Sequence, residues 1–162
     1  MSRLVVASNR VVDLEKAVQS GGLATALGEA LQKGRGLWFG WDGSICDDAA
    51  TTGIRIAQQS NLRTATVPLT RREYEEYYLG FANKVLWPTF HHRLDLAVIE
   101  PAFLDGYRRV NQRMAQLLAA LIEPNDTIWV HDYHLIPMAE ALRVEGVEQA
   151  IGFFLHIPFP PP

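Results

Sequence analysis

Short apolar runs alternate along the chain with segments whose apolar residues repeat at helical spacing, and this alternation constrains the fold most. Leu4-Val5-Val6-Ala7 is bounded by polar residues, which is typical of a strand buried on both faces. Thr127 to Val130 and Ala150 to Leu155 have the same character. Such strands, separated by helices, predict an α/β fold with a Rossmann-like, mostly parallel sheet that binds ligands at the carboxyl ends of its strands.

Four segments between the strands have helical patterns. Leu23 to Lys33 has one apolar face and is followed by glycines. A capping box at Thr70-Arg71-Arg72-Glu73 predicts a helix start, and Pro88 should stop that helix. A long helix with an apolar stripe should begin at Pro101, and Pro137 to Glu145 should form another.

Further strands are predicted between the first two of these helices. Leu37 to Trp41 is a second apolar run. Ile54 to Ile56 and Arg63 to Val67 alternate like strands and could pair as a hairpin.

The end of the chain is unusual for a parallel sheet. The last predicted strand runs directly into His156-Ile157-Pro158-Phe159-Pro160-Pro161-Pro162, with no covering helix after it. We therefore expect residues 1–162 to form one incomplete domain whose last strand exposes apolar surface, through which copies of the chain could associate.

Composition excludes several functional classes. Fifteen Lys and Arg against 18 Asp and Glu give a net charge of -3, which disfavours general nucleic-acid binding. The single cysteine, Cys46, cannot form an internal disulfide, and the polar stretch around it contains no obvious base to activate a thiol. With no long apolar run at the start, we expect a cytoplasmic protein that does not enter a membrane.

The first polar cluster after a predicted strand is Ser8-Asn9-Arg10, with Gly21-Gly22 further along. A guanidinium suits phosphate oxygens, and glycines at a helix start let backbone N–H groups approach an anion. These residues indicate a phosphate or sugar-phosphate site. A surface arginine beside an ordinary glycine turn would give the same pattern.

The second cluster is His131-Asp132-Tyr133-His134. Four polar side chains after a buried strand are costly to bury unless they bond to one another or to a ligand. Asp132 could accept a hydrogen bond from a sugar hydroxyl. A hydrogen-bonded structural turn, or a metal held by His131, Asp132 and His134, are the alternatives.

The third cluster is His156, which is held at a strand end by Pro158 and Pro160. A histidine fixed in direction suits a donor to a substrate oxygen, although a core histidine bonded to backbone is equally compatible. Trp41, Tyr77, Tyr78 and Trp87 lie beside polar loops, where flat rings could bind the apolar faces of a sugar.

In their order, six motifs resemble the amino-terminal region of glycosyltransferase family 20, the trehalose-6-phosphate synthases. They span nearly the whole chain: Arg3 to Arg10, Gly21-Gly22-Leu23, Leu37-Trp38-Phe39-Gly40-Trp41, Val85-Leu86-Trp87-Pro88, His131-Asp132-Tyr133-His134, and Gly152 to Pro160. The resemblance implies a GT-B fold of two Rossmann-like halves, of which this chain supplies most of the first. It also implies metal-independent transfer of glucose, with retention, from UDP-glucose to glucose 6-phosphate, with no cofactor.

The resemblance also implies roles for individual residues. It assigns the acceptor phosphate to Arg10, the acceptor hydroxyls to Asp132 and the donor glucose to His156. The remaining implied contacts are Gly22 near the donor phosphates, and Trp41, Tyr78 and Trp87 around the acceptor.

Two departures from the family pattern matter. Pro161 stands where Ser or Thr is usual, and the half that grips the donor diphosphate is missing from these 162 residues. Because stabilising charge on the departing diphosphate is the largest expected catalytic contribution, we predict that this chain alone transfers no glucose. A relative with another acceptor, such as glycerol 3-phosphate, and a non-catalytic sugar-phosphate-binding module remain alternatives.

Overall fold

The computed structural model describes residues 3–11, 31, 35–47, 53–59 and 61–159. The predicted glycine turn at Gly21-Gly22 lies outside these ranges, as do the predicted helix from Leu23 to Lys33, apart from Leu31, and the final three prolines.

Six strands form one sheet in the order β3-β4-β2-β1-β5-β6. All neighbours are parallel except β3 and β4, which pair antiparallel as the predicted hairpin. The predicted mostly parallel α/β sheet is therefore confirmed. The strands are β1 (Leu4–Arg10), β2 (Leu37–Cys46), β3 (Arg55–Gln59), β4 (Leu62–Thr70), β5 (Thr127–His131) and β6 (Ala150–Phe154).

Alternating side chains of the central strand enter two different apolar cores. Val5 and Ala7 of β1 belong to the larger core, whereas Val6 lies with Leu31 and Trp38 in a smaller one. Since successive strand residues point to opposite faces, the sheet is covered on both sides, as the continuous apolar runs predict.

The larger core is covered by three helices. Helix α1 consists of an α-helical turn (Arg71–Glu73), a π-helical segment (Tyr74–Leu86) and a second α-helical turn (Trp87–Phe90). Helix α2 is Pro101–Ala119 and helix α3 is Met138–Val144. Two 3₁₀ turns, Leu94–Leu96 and Tyr133–Leu135, complete the described elements.

The predicted capping box starts α1. The Thr70 side chain accepts a hydrogen bond from the Glu73 backbone N–H, and Glu73 Oε2 accepts one from Thr70 N at 2.9 Å. The same Glu73 carboxylate receives two hydrogen bonds of 2.8 Å from Arg113, which fastens the start of α1 to α2.

The prediction that Pro88 stops α1 is wrong, because the helix continues to Phe90. Proline lacks the N–H that would bond to the carbonyl four residues earlier. That carbonyl, on Lys84, instead accepts a hydrogen bond of 2.9 Å from Val98 N. The missing bond is replaced from outside the helix, so the chain can continue through the proline.

The last strand exposes apolar side chains, as predicted: Phe153 and Phe154 of β6 are 45% and 48% exposed. No helix in the described ranges has the length and apolarity needed to cross a bilayer.

Candidate active site

The candidate site lies where the strand order reverses. The chain proceeds from β1 to β2 on one side and later returns to β5 on the other side of β1. Ligands of open α/β sheets bind in the crevice outside the carboxyl ends of the strands at such a point. Arg10 ends β1, Asp132 follows β5, and His156 follows β6 by two residues.

Arg10 packs against an indole ring and a glycine. Its guanidinium carbon lies 5.0 Å from the centroid of the Trp41 ring, a cation–π distance. A Cβ built on Gly43 would lie 2.1 Å from Arg10 Nη2, so the guanidinium packs against the bare backbone there. A register shift between Ser8 and Arg10 turns the end of β1 toward this position.

Trp41 itself is buried, with 3% of its surface exposed, and Trp41 Nε1 donates to the Ser44 carbonyl at 2.7 Å. Its ring lies 5.4 Å from that of Tyr78, which stacks on His134 at 5.7 Å and 15°. These ring contacts connect Arg10 to the turn after β5. Trp41 therefore packs against both Arg10 and Tyr78.

The π-helical segment aligns two aromatic residues of α1. The Trp87 N–H donates to the Ala82 carbonyl, five residues back. With bonds from residue i to i+5, the separation of nine positions between Tyr78 and Trp87 makes about two turns, so the two rings fall on one face. In an α-helix of about 3.6 residues per turn they would lie on opposite faces. Trp87 is 41% exposed and stacks on His91 at 4.0 Å.

Asp132 has an unusual backbone conformation, φ 74° and ψ 165°, in a region that is almost confined to glycine and costs about 1–3 kcal/mol. Its Oδ1 accepts hydrogen bonds from Tyr133 N at 3.0 Å and from His156 N at 3.3 Å. Among the residues that the structure describes, Oδ2 has no hydrogen-bond partner. One carboxylate oxygen holds the turn together and the other remains available to a ligand.

The ring of His156 is bonded to a second imidazole. His131 Nδ1 lies 2.8 Å from His156 Nε2. His156 is exposed, whereas His131 is only 2% exposed. The alternative of a core histidine bonded to backbone is therefore excluded for the His156 ring.

The buried rings of the site are uncharged at neutral pH. Burial, together with the neighbouring His156, lowers the pKa of His131 to about 4. Burial lowers the pKa of His134 to about 3 and raises that of Tyr133, with help from Asp132, to about 12. The Tyr77 hydroxyl, which donates to Asn9 Oδ1 at 2.9 Å, has a pKa well above its ordinary value because it is buried.

The structure thus brings several predicted residues together. Asp132 and His156 are in direct contact, and Arg10 joins them through Trp41, Tyr78 and His134. Trp87 lies on the Tyr78 face of α1 but contacts His91 rather than these residues, and Gly22 lies outside the described residues.

The metal alternative has no geometric support. His131 faces His156 while His134 lies among tyrosines, and the described part of the chain contains no group of three or more His, Cys, Asp or Glu placed to hold an ion.

Sequence reasoning missed one residue and one pairing of residues. Asp-Gly, the dipeptide that ends at Gly43, follows Trp41 and predicts a turn there. Nothing in the sequence shows that Arg10 packs on this glycine. The pairing of His131 with His156 joins residues 25 apart in the chain, so only the adjacency of β5 and β6 reveals it.

A mostly parallel α/β sheet with an arginine, a carboxylate and a histidine at its switch point places the chain in the Rossmann-like class of domains. The model of glycosyltransferase family 20 matches residues 3–162, and the chain belongs to that family.

The chain is 50% identical to the trehalose-6-phosphate synthase of Klebsiella pneumoniae subsp. pneumoniae, over 100% of the chain and 34% of that protein. Its fold matches the crystal structure of an α,α-trehalose-phosphate synthase (UDP-forming) from Burkholderia vietnamiensis with a TM-score of 0.93 and 51% identity, covering 100% of this chain and 36% of that one. The Burkholderia xenovorans enzyme in complex with glucose-6-phosphate gives 0.89 and 47%, covering 98% and 34%. The chain therefore spans about a third of the length of these relatives.

Proposed function

We propose that this chain forms the acceptor side of a glucosyltransferase that moves glucose, with retention, from UDP-glucose to glucose 6-phosphate, releasing UDP and trehalose 6-phosphate. Membership of glycosyltransferase family 20 supports the reaction class. The observation that carries the acceptor site is the placement of Arg10, Asp132 and His156 on neighbouring strand ends at the switch point of the sheet.

Arg10 would bind the phosphate of the acceptor. Its guanidinium offers several N–H donors in one plane, and Trp41 and Gly43 hold that plane in place without neutralising its charge. An oriented guanidinium can bind two phosphate oxygens at once, which a more flexible ammonium group does less well.

Asp132 would bind an acceptor hydroxyl through Oδ2, since Oδ1 is committed to two backbone N–H groups. A carboxylate that accepts a hydroxyl proton in a hydrogen bond raises the nucleophilicity of that oxygen. His156 would donate a hydrogen bond to the donor glucose, while Tyr78 and Trp87, on one face of α1, would line the acceptor pocket.

The donor diphosphate would approach the backbone at Gly22, and residues in the remaining two thirds of the family's length would supply its cations. The reaction would need no metal or cofactor, because charge on the leaving diphosphate can be stabilised by fixed side-chain cations. We place the protein in the cytoplasm, where its one cysteine would remain reduced.

Isothermal titration of the 162-residue chain with glucose 6-phosphate tests the acceptor assignment. We expect saturable binding that Arg10→Ala weakens at least tenfold, while Arg108→Ala, which removes an exposed guanidinium from α2, leaves the affinity unchanged. Equal affinities in the two variants would remove Arg10 from the site. Competition by glycerol 3-phosphate at lower concentration than glucose 6-phosphate would show that the acceptor is a different phosphorylated alcohol.

A further inference from the structure

The imidazoles of His131 and His156 lie edge to edge in nearly one plane. Their ring centroids are 5.1 Å apart with an interplanar angle of 15°, and Nδ1 of His131 is 2.8 Å from Nε2 of His156. The centroid distance exceeds the nitrogen–nitrogen distance by the sum of the two ring radii, so both nitrogens lie on the line that joins the ring centres. A well-aligned in-plane hydrogen bond has this arrangement, whereas stacked ring faces do not.

Only one of these two nitrogens can carry the shared proton, and the surroundings of His131 decide which. His131 ends β5, its ring packs 4.2 Å from Trp129 and 6.3 Å from Phe154, and its Nε2 is buried with no hydrogen-bond partner among the described residues. If His156 donated to His131, then neutral His131 would carry its proton on Nε2, as a buried N–H without an acceptor. Orphaned buried N–H groups are rarer in proteins than under-satisfied acceptors.

We propose that His131 is a positioning residue whose Nδ1–H donates to His156 Nε2 and thereby fixes His156 as the Nδ1–H tautomer. The His156 ring cannot rotate without breaking this bond. Its backbone N–H is also tied to Asp132 Oδ1, so both ends of the residue are held. His156 Nδ1–H, which has no partner in the described part of the chain, is then a fixed donor for a sugar oxygen. That last step rests on the proposed function, whereas the tautomer assignment does not.

The uncharged state of His131 is consistent with this arrangement, because burial and the adjacent His156 keep its pKa low. A charged His131 would have to bury a second N–H at Nε2 without an acceptor. A neutral donor in an apolar wall can orient its partner without adding charge to the site.

Long-range ¹H–¹⁵N correlation of the histidine rings in the 162-residue chain at pH 7.5 tests the assignment directly. We expect His156 and His131 each to show a protonated Nδ1 and an unprotonated Nε2. His91 provides an internal reference, because its Nδ1 lies 2.7 Å from the Trp87 carbonyl, which can only accept. His92, exposed and without a ring partner among the described residues, serves as the reference for a ring with no fixed hydrogen bond. A protonated Nε2 on His156 would overturn the proposal.

Two variants separate positioning from structural support. His131→Asn keeps a side-chain N–H near the position of Nδ1 and should leave His156 in the Nδ1–H form. His131→Phe fills the same space without a donor, so the His156 signals should move toward those of His92. Retention of the Nδ1–H form in the Phe variant would contradict the proposal. If that variant does not fold, the wild-type and Asn spectra still decide.

The two proposals fail separately. If glucose 6-phosphate does not bind, the proposed function is contradicted while the His131 assignment stands on its spectrum. If His156 carries its proton on Nε2, the assignment is wrong whether or not the sugar phosphate binds.

Discussion

The guanidinium of Arg10 lies over the Trp41 ring at 5.0 Å. The guanidinium also packs against the backbone of Gly43, whose φ of 89° lies in the left-handed region that favours glycine. The arginine is thus oriented by a neighbouring ring and by the absence of a side chain, and no carboxylate among the described residues pairs with it. In this part of the site, the geometry depends on Gly43 as much as on Arg10.

Substituting Gly43→Ala should displace Arg10 without removing it. The new methyl would overlap the guanidinium, so we expect affinity for glucose 6-phosphate to fall about tenfold, the loss of roughly one charge-assisted hydrogen bond. Gly146→Ala is the matched control, because Gly146 has a similar φ of 82° and, apart from its chain neighbours, no described residue has a heavy atom within 4 Å of the added Cβ. Calorimetric titration of both variants should show the loss of affinity in Gly43→Ala alone. Equal affinities would mean that phosphate binding by Arg10 does not depend on its contact with the Gly43 backbone.

Replacing Asp132 by asparagine separates its two oxygens. The amide oxygen can still accept from Tyr133 N and His156 N, so the turn should form, while the group at the position of Oδ2 becomes a donor. We expect a melting temperature near that of the unsubstituted chain and glucose 6-phosphate affinity reduced about tenfold or more. Asp132→Gly is the variant to compare with Asp132→Asn, because it relieves the backbone strain but removes both side-chain oxygens. An Asn variant with full affinity would exclude the carboxylate from ligand binding.

Stability should fall as the pH is lowered from about 6.5 toward 5. The folded-state pKa values of His131 and His134, about 4 and about 3, lie below the ordinary value of 6.5, so only the unfolded chain takes up protons on these residues in that window. Each histidine should then cost roughly 1–2 kcal/mol of unfolding free energy by pH 5. The carboxylates of Glu76 and Asp95 have lowered pKa values, so their loss begins at more acidic pH.

Urea titrations at several pH values measure the slope of the unfolding free energy against pH, and His134→Phe should roughly halve that slope. His134 has two buried ring nitrogens without partners in the described residues, so the variant should also be at least as stable as the original at pH 7. A slope unaltered by His134→Phe would show that this histidine is not held neutral.

Removing one partner of the ion pair between Glu73 and Arg113 should be strongly destabilising. Both groups are largely buried, with side-chain exposures of 9% and 20%. Glu73→Gln removes the carboxylate charge from this pair and should lower the free energy of unfolding by about 3 kcal/mol. In a double-mutant cycle, Arg113→Met combined with Glu73→Gln should cost clearly less than the sum of the single changes. Asp95→Asn, in the exposed pair with Arg93, is the control and should leave the melting temperature unchanged; additive costs for Glu73 and Arg113 would argue against coupling.

A preparation of these 162 residues should release no UDP from UDP-glucose in the presence of glucose 6-phosphate. The chain spans about a third of the length of its relatives, and the resemblance places the cations for the leaving diphosphate in the remainder. A coupled assay for UDP, with a full-length relative as the positive control, measures this. Turnover above the rate without protein would contradict the division of roles between the two halves.

Much of the fold could be predicted from local patterns. The apolar run at Leu4 to Ala7, the hairpin and the capping box at Thr70 are each determined by neighbouring residues, and all three are confirmed. The prediction that Pro88 ends α1 was wrong because the compensating hydrogen bond comes from Val98, ten residues further along the chain. The π-helical hydrogen bonding of α1 likewise had no local signal.

In the site, as in the fold, local patterns predicted some features, and contacts between distant residues determine the rest. Strand ends predicted the positions of Arg10, Asp132 and His156, because parallel strands gather their carboxyl ends at one edge. The contacts that orient them could not be predicted. The contact between Gly43 and Arg10, and that between His131 and His156, depend on which strands are neighbours and how their ends bend.

The most direct test of a single acceptor site is an NMR titration of the labelled 162-residue chain with glucose 6-phosphate. The Arg10 side-chain signals, the Asp132 backbone amide and the His156 ring should shift together along one saturable curve with a single dissociation constant. Inorganic phosphate should shift Arg10 alone. Movement of Arg10 without Asp132 and His156 when the sugar phosphate is added, or different dissociation constants for the three residues, would contradict a single site for a phosphorylated sugar.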